Sequence, residues 1–524
     1  MTRINTNVPS LIAQRVLTEN NNTLNISLER LSTGLEINRG KDDPAGLIAS
    51  ENLRSEITGL NAAITNSERA DQVVNIAEGG LQEISSLLTE LQALVTLTAN
   101  TAGLSVEEKE ANQLQVDSIL QTIDRLASAT SFQGLKLLNG GLDYQTENVS
   151  SVVSSFQVRG SKLEAGQALD VDVLVTQSAQ VGGFFLSFGA ASLNLGGAGA
   201  DDGRDSTFVV EVAGSLGSRE LSFSSGTQLT DIASTISSFA SVTGVEAVVS
   251  GTGLRLVSTE VGADEFVSIK VADDGAIGTA SNIGLYDFVV DDASTAQTTI
   301  ASTFAGVDNR RTDDGQDVEA TINGIRATTR GTVAQINTDF LDVEVDLNYD
   351  TSGPAGPNAA KLGQVQAFTI LGGGADFQLA SQVDINGKVS LGVQNVAVRE
   401  LGRQMLDVGG ATSAFFLKDI GGGRELNVVD GDATAAQKVI DRSIREISSL
   451  RGRLGAFQSN VIGTTIRSLG VAVENKTAAE SVIRDTDFAA ETARLTQAQI
   501  LSSAASSTLA LANAQPQGVL QLLG

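Results

Sequence analysis

The sequence contains no histidine, no cysteine and no tryptophan, and these absences exclude several kinds of site. Without imidazole there is no Ser-His-Asp triad and no histidine to act as general acid or base. Without thiols there is no cysteine nucleophile, no disulfide and no zinc site built from cysteine and histidine. The residue types that are present form no recognisable catalytic motif, so we predict a protein that is not an enzyme, with no catalytic residues, no cofactor and no metal ligands.

Basic residues are also scarce: 35 Lys and Arg against 62 Asp and Glu give a net charge of 35 − 62 = −27. Such a surface repels phosphate backbones, and an aromatic content of 4% offers little for base stacking. We therefore expect no nucleic-acid partner. A hydrophobic content of 41% is ordinary for a folded protein, and 524 residues are enough for several domains.

Long hydrophobic runs are missing as well. No stretch approaches the roughly 18 apolar residues that span a bilayer, so no membrane insertion is expected. Near the start, Asn5, Asn7 and Pro9 interrupt any apolar segment, which is unlike a secretory signal peptide. If the protein leaves the cell, we expect a route that does not use such a peptide.

The first 140 residues have the 3/4 spacing of apolar positions that is typical of amphipathic helices. The first stripe consists of Leu17, Leu24, Leu28, Leu31 and Leu35. A new helix is predicted to begin at Pro44 with Asp43 as its N-cap, and its heptad-like stripe extends from Leu53 to Val95. Gly79 and Gly80 lie inside this stripe and should weaken the helix locally.

A similar stripe occurs near the other end, at Ile440, Ile444, Ile447, Leu454 and Val461. The final segment is different, because it is rich in Ala, Ser, Thr and Gln and poor in large apolar residues. Its candidate contact residues are Leu495, Leu509, Val519, Leu520, Leu522 and Leu523. Both ends of the chain bury little area by themselves, so we expect them to require a partner. Two alternatives stay open: disordered tails, and stripes that form only an intramolecular bundle core.

The middle of the chain changes to strand-like alternation with Gly-rich and Asp-rich turns. A small α+β unit is predicted over 207–271, with strands at Thr207–Ala213, Glu220–Phe223, Val245–Val249, Leu254–Val257 and Phe266–Val271 and a helix at Leu229–Phe239. Further strands are predicted at Glu319–Ile322, Leu341–Leu347 and Val389–Val398. The predicted fold class is α+β multidomain: a long antiparallel α-helical coiled coil or bundle from both termini, with a β-rich central insert.

Several motifs resemble ligand sites and are better explained as turns. Gly34–Lys41 has the wrong glycine spacing for a phosphate-binding loop, and Asp42 stands where Ser or Thr is required. Asp384–Gly387 lacks the downstream Glu of an EF-hand, and Gly196–Asp201 is a single copy of a calcium-roll repeat. Four acidic pairs are predicted to lie in solvated loops: Asp201/Asp202, Asp273/Asp274, Asp291/Asp292 and Asp313/Asp314.

Both ends also resemble bacterial flagellins. The segment INRGKDDPAGLIAS (37–50) is similar to a signature near the flagellin N-terminus, and the match continues through 61–84 and 129–140. The segments 449–460, 483–501 and 509–524 resemble the C-terminal pattern in the same order. Pro44 replaces the small residue usual in the family, and residues 207–271 resemble an insert repeat of flagellins and of the filament cap protein.

The resemblance implies an architecture. Residues 1–40 and 485–524 would form inner-core helices, 41–140 and 430–484 the two parts of a helical spoke domain, and 150–425 a variable outer insert. Identical chains would then associate head to tail without closing a ring, which gives an extracellular helical filament for motility. The predicted self-assembly residues are those of the first stripe and of the final segment: Leu17, Leu24, Leu28, Leu31, Leu35, Leu495, Leu509, Val519, Leu520, Leu522 and Leu523.

The resemblance also implies partners. These are the flagellar export apparatus, an export chaperone, and the junction and cap proteins, with the chain exported unfolded and polymerised at the filament tip. Flagellins sensed by the animal Toll-like receptor have an Arg at the position of Glu90, a Leu at Leu94 and a Glu at Gln115. The reversed charge at Glu90 predicts weak or no receptor activation.

Two other functions stay open. A hook–filament junction protein is also helical at both ends. An insert with glycan-binding or glycosidase activity is a second alternative, because the separation of a carboxylate pair is not visible in a sequence. A zinc-peptidase insert is excluded by the absence of histidine.

Overall fold

The computed structural model describes residues 6–100, 103–164, 166–195, 207–277, 282–289, 292–347, 363–408 and 411–523. Within these ranges, side chains are described except at 292–294, 407–408, 411–412 and 516–523. Gly196–Asp201, Asp201/Asp202 and Asp291/Asp292 therefore lie outside the residues or side chains that are described.

Long helices form both ends of the chain, and strands dominate the middle. The helices are α1 (Val8–Thr33), α2 (Pro44–Thr98), α3 (Val106–Ala129), α4 (Leu229–Ser238), α5 (Ala240–Thr243), α6 (Ala433–Ala456), α7 (Gly463–Arg484) and α8 (Phe488–Leu523). A π-helical turn, Phe457–Ile462, joins α6 to α7, and 3₁₀ turns occur at Phe304–Gly306 and Leu417–Ile420. This arrangement confirms the predicted fold class.

The strands before residue 200 are β1 (Ser131–Phe132), β2 (Leu135–Lys136), β3 (Tyr144–Glu147), β4 (Val153–Ser161), β5 (Leu169–Gln177) and β6 (Gly183–Ser187). The next are β7 (Thr207–Gly214), β8 (Gly217–Ser224), β9 (Val245–Ser250), β10 (Gly253–Ser258), β11 (Phe266–Asp273), β12 (Gly284–Tyr286), β13 (Phe288–Val289), β14 (Asp292–Ala296) and β15 (Arg311–Asp314). The remaining ones are β16 (Glu319–Ile322), β17 (Ile325–Arg326), β18 (Thr328–Arg330), β19 (Val333–Asn337), β20 (Leu341–Leu347), β21 (Gly363–Gly373), β22 (Ala375–Gln378), β23 (Lys388–Leu391), β24 (Gln404–Val408) and β25 (Ala411–Phe415).

The chain divides into two compact units. The first, here called the terminal unit, comprises the chain up to Glu78, the segment Phe377–Val389, and the chain from Ser449 onward. It contains α1, α7 and α8 and parts of α2 and α6. The second, here called the central unit, comprises Gly79–Asp376 and Ser390–Ser448.

Local chemistry explains where the terminal helices begin and end. The Asn7 side chain accepts a hydrogen bond from the Ser10 amide at the start of α1, and α1 ends at Gly34, whose φ of 74° is left-handed. The helix α2 begins at Pro44, as predicted, and the Asp43 carboxylate accepts from the Ala45 amide at 3.1 Å. In the π-helical turn, the Phe457 ring lies 6.0 Å from the ring of Phe377.

The central unit has two apolar cores made largely by strands. One lies between the sheets β17-β16-β5-β21-β3 and β18-β19-β20-β4, and Val173, Val343 and Phe368 are fully buried there. The other lies among β12-β6-β10-β9, β15-β11-β7-β8 and α4, and includes Phe184 and Phe208. Residues 207–271, which the sequence predicts to form a small α+β unit, share this core and its sheets with β6, β12 and β15.

The prediction of one strand over Val389–Val398 is wrong. The strand β23 ends at Leu391, and the next residues bond individually to separate partners instead of forming a ladder. The Gly392, Val393 and Val396 amides donate to the carbonyls of Arg159, Leu142 and Leu138, and the Val398 amide donates to the Asp124 carboxylate. Apolar composition alone could not distinguish this buried coil from a strand, because the backbone N–H and C=O groups form hydrogen bonds in both.

Candidate assembly surface

The two ends of the chain pair with each other as antiparallel helices, α1 and α8. The contact face of α1 repeats at intervals of three and four residues, and so does that of α8, which is the pattern of a two-helix coiled coil. On α1 these positions are Ser10, Ala13, Leu17, Asn20, Leu24, Ser27 and Leu31. On α8 they are Glu491, Leu495, Ala498, Ser502, Ala505, Leu509 and Ala512. We call this contact the terminal seam.

The fully buried positions of the terminal seam are mostly small. Ala13, Ala498, Ala505 and Ala512 are buried, whereas the leucines are only half-buried. Small side chains let the helices approach closely but remove little apolar area from water. The pair is therefore weakly stabilised by its own interface.

Hydrogen bonds also join the two helices along the length of the seam. Asn7 Nδ2 donates to the Ala512 carbonyl at 2.8 Å, and Asn20 Nδ2 donates to the Leu501 carbonyl at 3.2 Å. Ser10 Oγ and Ser502 Oγ donate to the side-chain oxygens of Asn513 and Asn21, each at 2.7 Å.

At the end of the seam near α2 and α7, the chain segments that follow α1 and precede α8 lie side by side. The Glu36 amide donates to the Arg484 carbonyl at 2.7 Å, and the Thr486 amide donates to the Gly34 carbonyl at 2.9 Å. Close to this point, the buried Glu491 carboxylate lies 3.8 Å from Arg30 and 3.2 Å from Arg494.

Large apolar side chains are exposed on the rest of both helices. On α1 they are Val8, Leu11, Ile12, Val16, Ile26 and Leu28, and on α8 they are Phe488, Ile500, Leu501 and Leu511. On a helical projection Ile12, Ile500 and Leu511 point away from the seam. Soluble single chains rarely leave so much apolar surface uncovered on paired helices. We call the faces that carry these residues the outward faces.

The predicted self-assembly residues divide between these surfaces. Leu17, Leu24, Leu31, Leu495 and Leu509 are half-buried in the seam, and Leu35 forms an isolated bridge with Asp485 just beyond α1. Leu28 is 46% exposed and belongs to an outward face. The backbone of 519–523 is helical, but the side chains of Val519, Leu520, Leu522 and Leu523 lie outside the described ones.

The sequence reasoning missed Leu11, Ile12, Ile500 and Leu511. Their signal was present in the sequence as apolar residues that do not fit the seam spacing on a helix otherwise rich in polar side chains. Only the pairing of α1 with α8 distinguishes such residues from those of the seam.

In the terminal unit, α2 and α7 are joined mainly by charge. Glu51 and Glu480 each contact both Arg54 and Arg484, so that four ion pairs form a closed ring at 2.9–3.8 Å. No residue of α7 is buried. These contacts are partly exposed, and each contributes about 0–1 kcal/mol to stability.

The prediction of solvated loops is wrong for Asp313/Asp314, which are the last two residues of β15, and for Asp273, which is the last residue of β11. Their backbones pair with neighbouring strands instead. The other described motifs that resembled ligand sites are turns. The amides of Asn38 and Arg39 donate to the Asp42 carboxylate, so the loop between α1 and α2 binds its own side chain. The Gly387 amide donates to Asp384 in the same way. Among the described residues, no group of three or more Asp or Glu side chains is arranged to hold a metal ion.

The counterparts of the receptor-contact residues lie on α2 and α3. Glu90 and Gln115 are exposed, and Leu94 is half-buried. Glu90 forms no ion pair within the described part of the chain, so its charge faces solvent.

The comparisons with known proteins match both helical ends and nearly the whole length. The bacterial flagellin N-terminal helical region matches residues 4–142, and the C-terminal helical region matches 437–523. B-type flagellin of Pseudomonas aeruginosa is 30% identical over 574 aligned residues, which cover 99% of each chain. The chain belongs to the bacterial flagellin family. The flagellin of Salmonella typhimurium is 27% identical, again over 99% of each chain.

This flagellin is thus a structural subunit of the extracellular flagellar filament. In the described part of the chain, no helix is both long and apolar enough to cross a bilayer. Solved structures give weaker matches. The D2–D3 domains of the flagellar cap protein of Serratia marcescens are 16% identical, with a TM-score of 0.24, over 41% of this chain and 99% of that one. FliC of Burkholderia pseudomallei is 12% identical, with a TM-score of 0.21, over 74% of this chain and 99% of that one.

Proposed function

We propose that this flagellin polymerises through the outward faces of α1 and α8. The observation that supports the proposal is the exposure of large apolar residues on both helices of a pair whose fully buried seam positions are mostly small. Neighbouring subunits would cover these residues and complete the burial that one chain lacks. The contact joins different surfaces of two copies, so it is heterologous and extends as an open helix.

The family resemblance supplies the arrangement of the remaining segments. Residues 1–40 and 485–524 form the inner layer of the filament, 41–140 and 430–484 form the helical spoke domain, and 150–425 point outward. The chain passes unfolded through the export apparatus with the help of a chaperone, and its ends fold at the tip as neighbouring subunits, junction and cap proteins cover them. Its role is structural and not enzymatic.

One consequence of this proposal is that removal of Leu495–Gly524 leaves a soluble, folded monomer that does not polymerise. Circular dichroism of the monomer and electron microscopy after mixing with filament seeds measure the two properties. Normal filaments from the truncated chain would contradict the proposal.

A point substitution tests the outward face more directly. Ile500 is 64% exposed on α8, and Leu216 is 65% exposed in the turn between β7 and β8, which makes it a matched control. Burial of an isoleucine contributes roughly 1.5–3 kcal/mol, so Ile500→Asp should raise the critical concentration for polymerisation by about tenfold or more. Leu216→Asp should leave it unchanged. Equal critical concentrations for the two variants would show that Ile500 is not at a subunit contact.

A weak response of the animal Toll-like receptor belongs to the same proposal. The resemblance places an Arg where this chain has the exposed Glu90, and the reversed charge opposes an acidic partner surface.

A further inference from the structure

The terminal seam is repetitive, and this repetition leaves its register weakly specified by apolar contacts. Ala498, Ala505 and Ala512 occupy equivalent seam positions one heptad apart. A shift of α8 by seven residues along α1 keeps alanine at two of these three contacts and brings Glu491 or Val519 to the third. Repetitive seams of this kind need polar residues to select one alignment.

The polar contacts of the seam differ in how strongly they depend on the alignment of α8 with α1. Asn7 and Asn20 donate to backbone carbonyls, and the pairing of 34–36 with 484–486 is also between backbone groups. Helix carbonyls recur at every residue, so the two asparagine bonds can form again after a shift. The pairing of 34–36 with 484–486 cannot, because it joins non-helical segments and also favours the native alignment. Contacts between two side chains are lost, because the partner is replaced by another residue.

Among the contacts between side chains, the ion pair of Arg30 and Glu491 is the one in which a charge is buried. Glu491 is 3% exposed, and its Oε2 lies 3.8 Å from Arg30 Nη1. It lies in the first turn of α8, where the helix dipole also favours a carboxylate. The exposed side chain of Arg494 contacts the same oxygen from within α8, so it moves with Glu491 and does not depend on the register.

A shifted seam would leave Glu491 without its partner on the other helix. Moving α8 by seven residues toward the start of α1 replaces Arg30 by Thr23, which carries no charge. Moving it the other way takes Glu491 past Thr33, where α1 ends. Glu491 would then keep only the exposed Arg494 as a partner, and a buried charge that loses one of its partners is destabilising, so the shifted alignment is penalised.

We propose that Arg30 and Glu491 are positioning residues that select the register of the α1–α8 pair. The register decides which residues of α1 and α8 lie side by side on the outward faces, and thus the shape of the surface offered to a second copy. The inference rests on the proposed assembly through α1 and α8, and it concerns the alignment within one chain.

The absence of cysteine allows spin labels to be placed without background. Thr23→Cys and Thr508→Cys provide exposed sites whose native hydroxyls bond only within their own helices. The labelled chain is mixed with a large excess of unlabelled wild-type chain and polymerised, so that pulsed electron spin resonance measures distances within one chain. A shift of one heptad changes the axial separation of the labels by about 10 Å.

The native sequence should give one distance. Glu491→Leu and Arg30→Leu should each add a second population of chains with a different label-to-label distance. Glu491→Gln, which keeps the shape of the side chain, should add a smaller second population. Gln499→Leu, an exposed position of the same helix, should retain the single distance. The double variant Arg30→Glu/Glu491→Arg should recover part of the native population, although Arg is unfavourable in the first helical turn.

A single native distance in the Leu and Gln variants would overturn the proposal, and so would a charge swap without recovery. Failure of the wild-type chain to polymerise through α1 and α8 would instead contradict the proposed function, so the two failures are distinguishable.

Discussion

Arg451 Nε donates to the Glu78 carboxylate at 2.8 Å and links α6 to α2 across 373 positions of the sequence. Glu78 Oε2 is buried and has no hydrogen-bond partner among the described residues, so the carboxylate is held there through its other oxygen by Arg451. We expect Arg451→Ala to lower the free energy of unfolding of the monomer by about 1–2 kcal/mol, because a partly buried charge loses its donor. Urea denaturation followed by circular dichroism measures the change.

The matched control is Arg326, whose side chain is 81% exposed where it pairs with Glu319. Arg326→Ala should change the stability by less than about 0.5 kcal/mol. Equal effects of the two substitutions would show that burial does not strengthen the Arg451–Glu78 pair.

Two adjacent glycines of α2 should respond in opposite ways to the same substitution. A β-carbon on Gly80 would lie 2.7 Å from Thr130 Oγ1 and 2.9 Å from Leu138 Cδ1, whereas one on Gly79 meets no atom within 4 Å. Gly79→Ala should stabilise the monomer by up to about 1 kcal/mol through helix propensity. Gly80→Ala should destabilise it by about 1–2 kcal/mol through overpacking. Thermal unfolding of both variants measures the change in stability. A stabilising Gly80→Ala would contradict the close packing of Gly80 against Thr130 and Leu138.

Asp346 should make the stability of the central unit depend on pH. Burial raises the pKa of Asp346 above its ordinary value of 3.8, and hydrogen bonds from the Thr332 and Ser155 hydroxyls oppose the shift. The folded chain then binds this proton more tightly than the unfolded chain. The group therefore favours folding at acidic pH, and this contribution is lost as the pH rises through the raised pKa.

Asp346→Asn removes this ionisation. Relative to wild type, the variant should be more stable at pH 7, and its advantage should shrink as the pH falls toward 3.8. Urea denaturation at several pH values measures the difference, with the exposed Glu147→Gln as the control. An advantage that does not vary with pH would show that the carboxylate of Asp346 is not the cause.

Glu90→Arg should increase the response of a Toll-like receptor reporter cell to purified monomer, because it restores the charge that the family resemblance places there. Glu68→Arg, on an exposed position of the same helix, should not. A wild-type monomer that already activates the receptor strongly would contradict the prediction, as would equal responses to the two variants.

The helical ends were predictable from the sequence because helix periodicity and capping are local. Pro44 begins α2 as expected, and Leu81, Leu88 and Val95 of its stripe are buried. The strand prediction at Val389–Val398 failed because those residues find their hydrogen-bond partners far away in the sequence, at Leu138, Leu142 and Arg159. From the sequence alone, Gly80 is expected only to weaken the helix. In the structure, its lack of a side chain leaves room for Thr130.

The composition-based exclusions, the order of helices and strands, and the family could be inferred without a structure, because each depends on residue type and local spacing. Which apolar residues of α1 and α8 face each other, and which face outward, became visible only in the folded chain. The fold also placed Glu491 beside Arg30. Those properties depend on the pairing of segments almost 500 residues apart, and no local pattern specifies such a pairing.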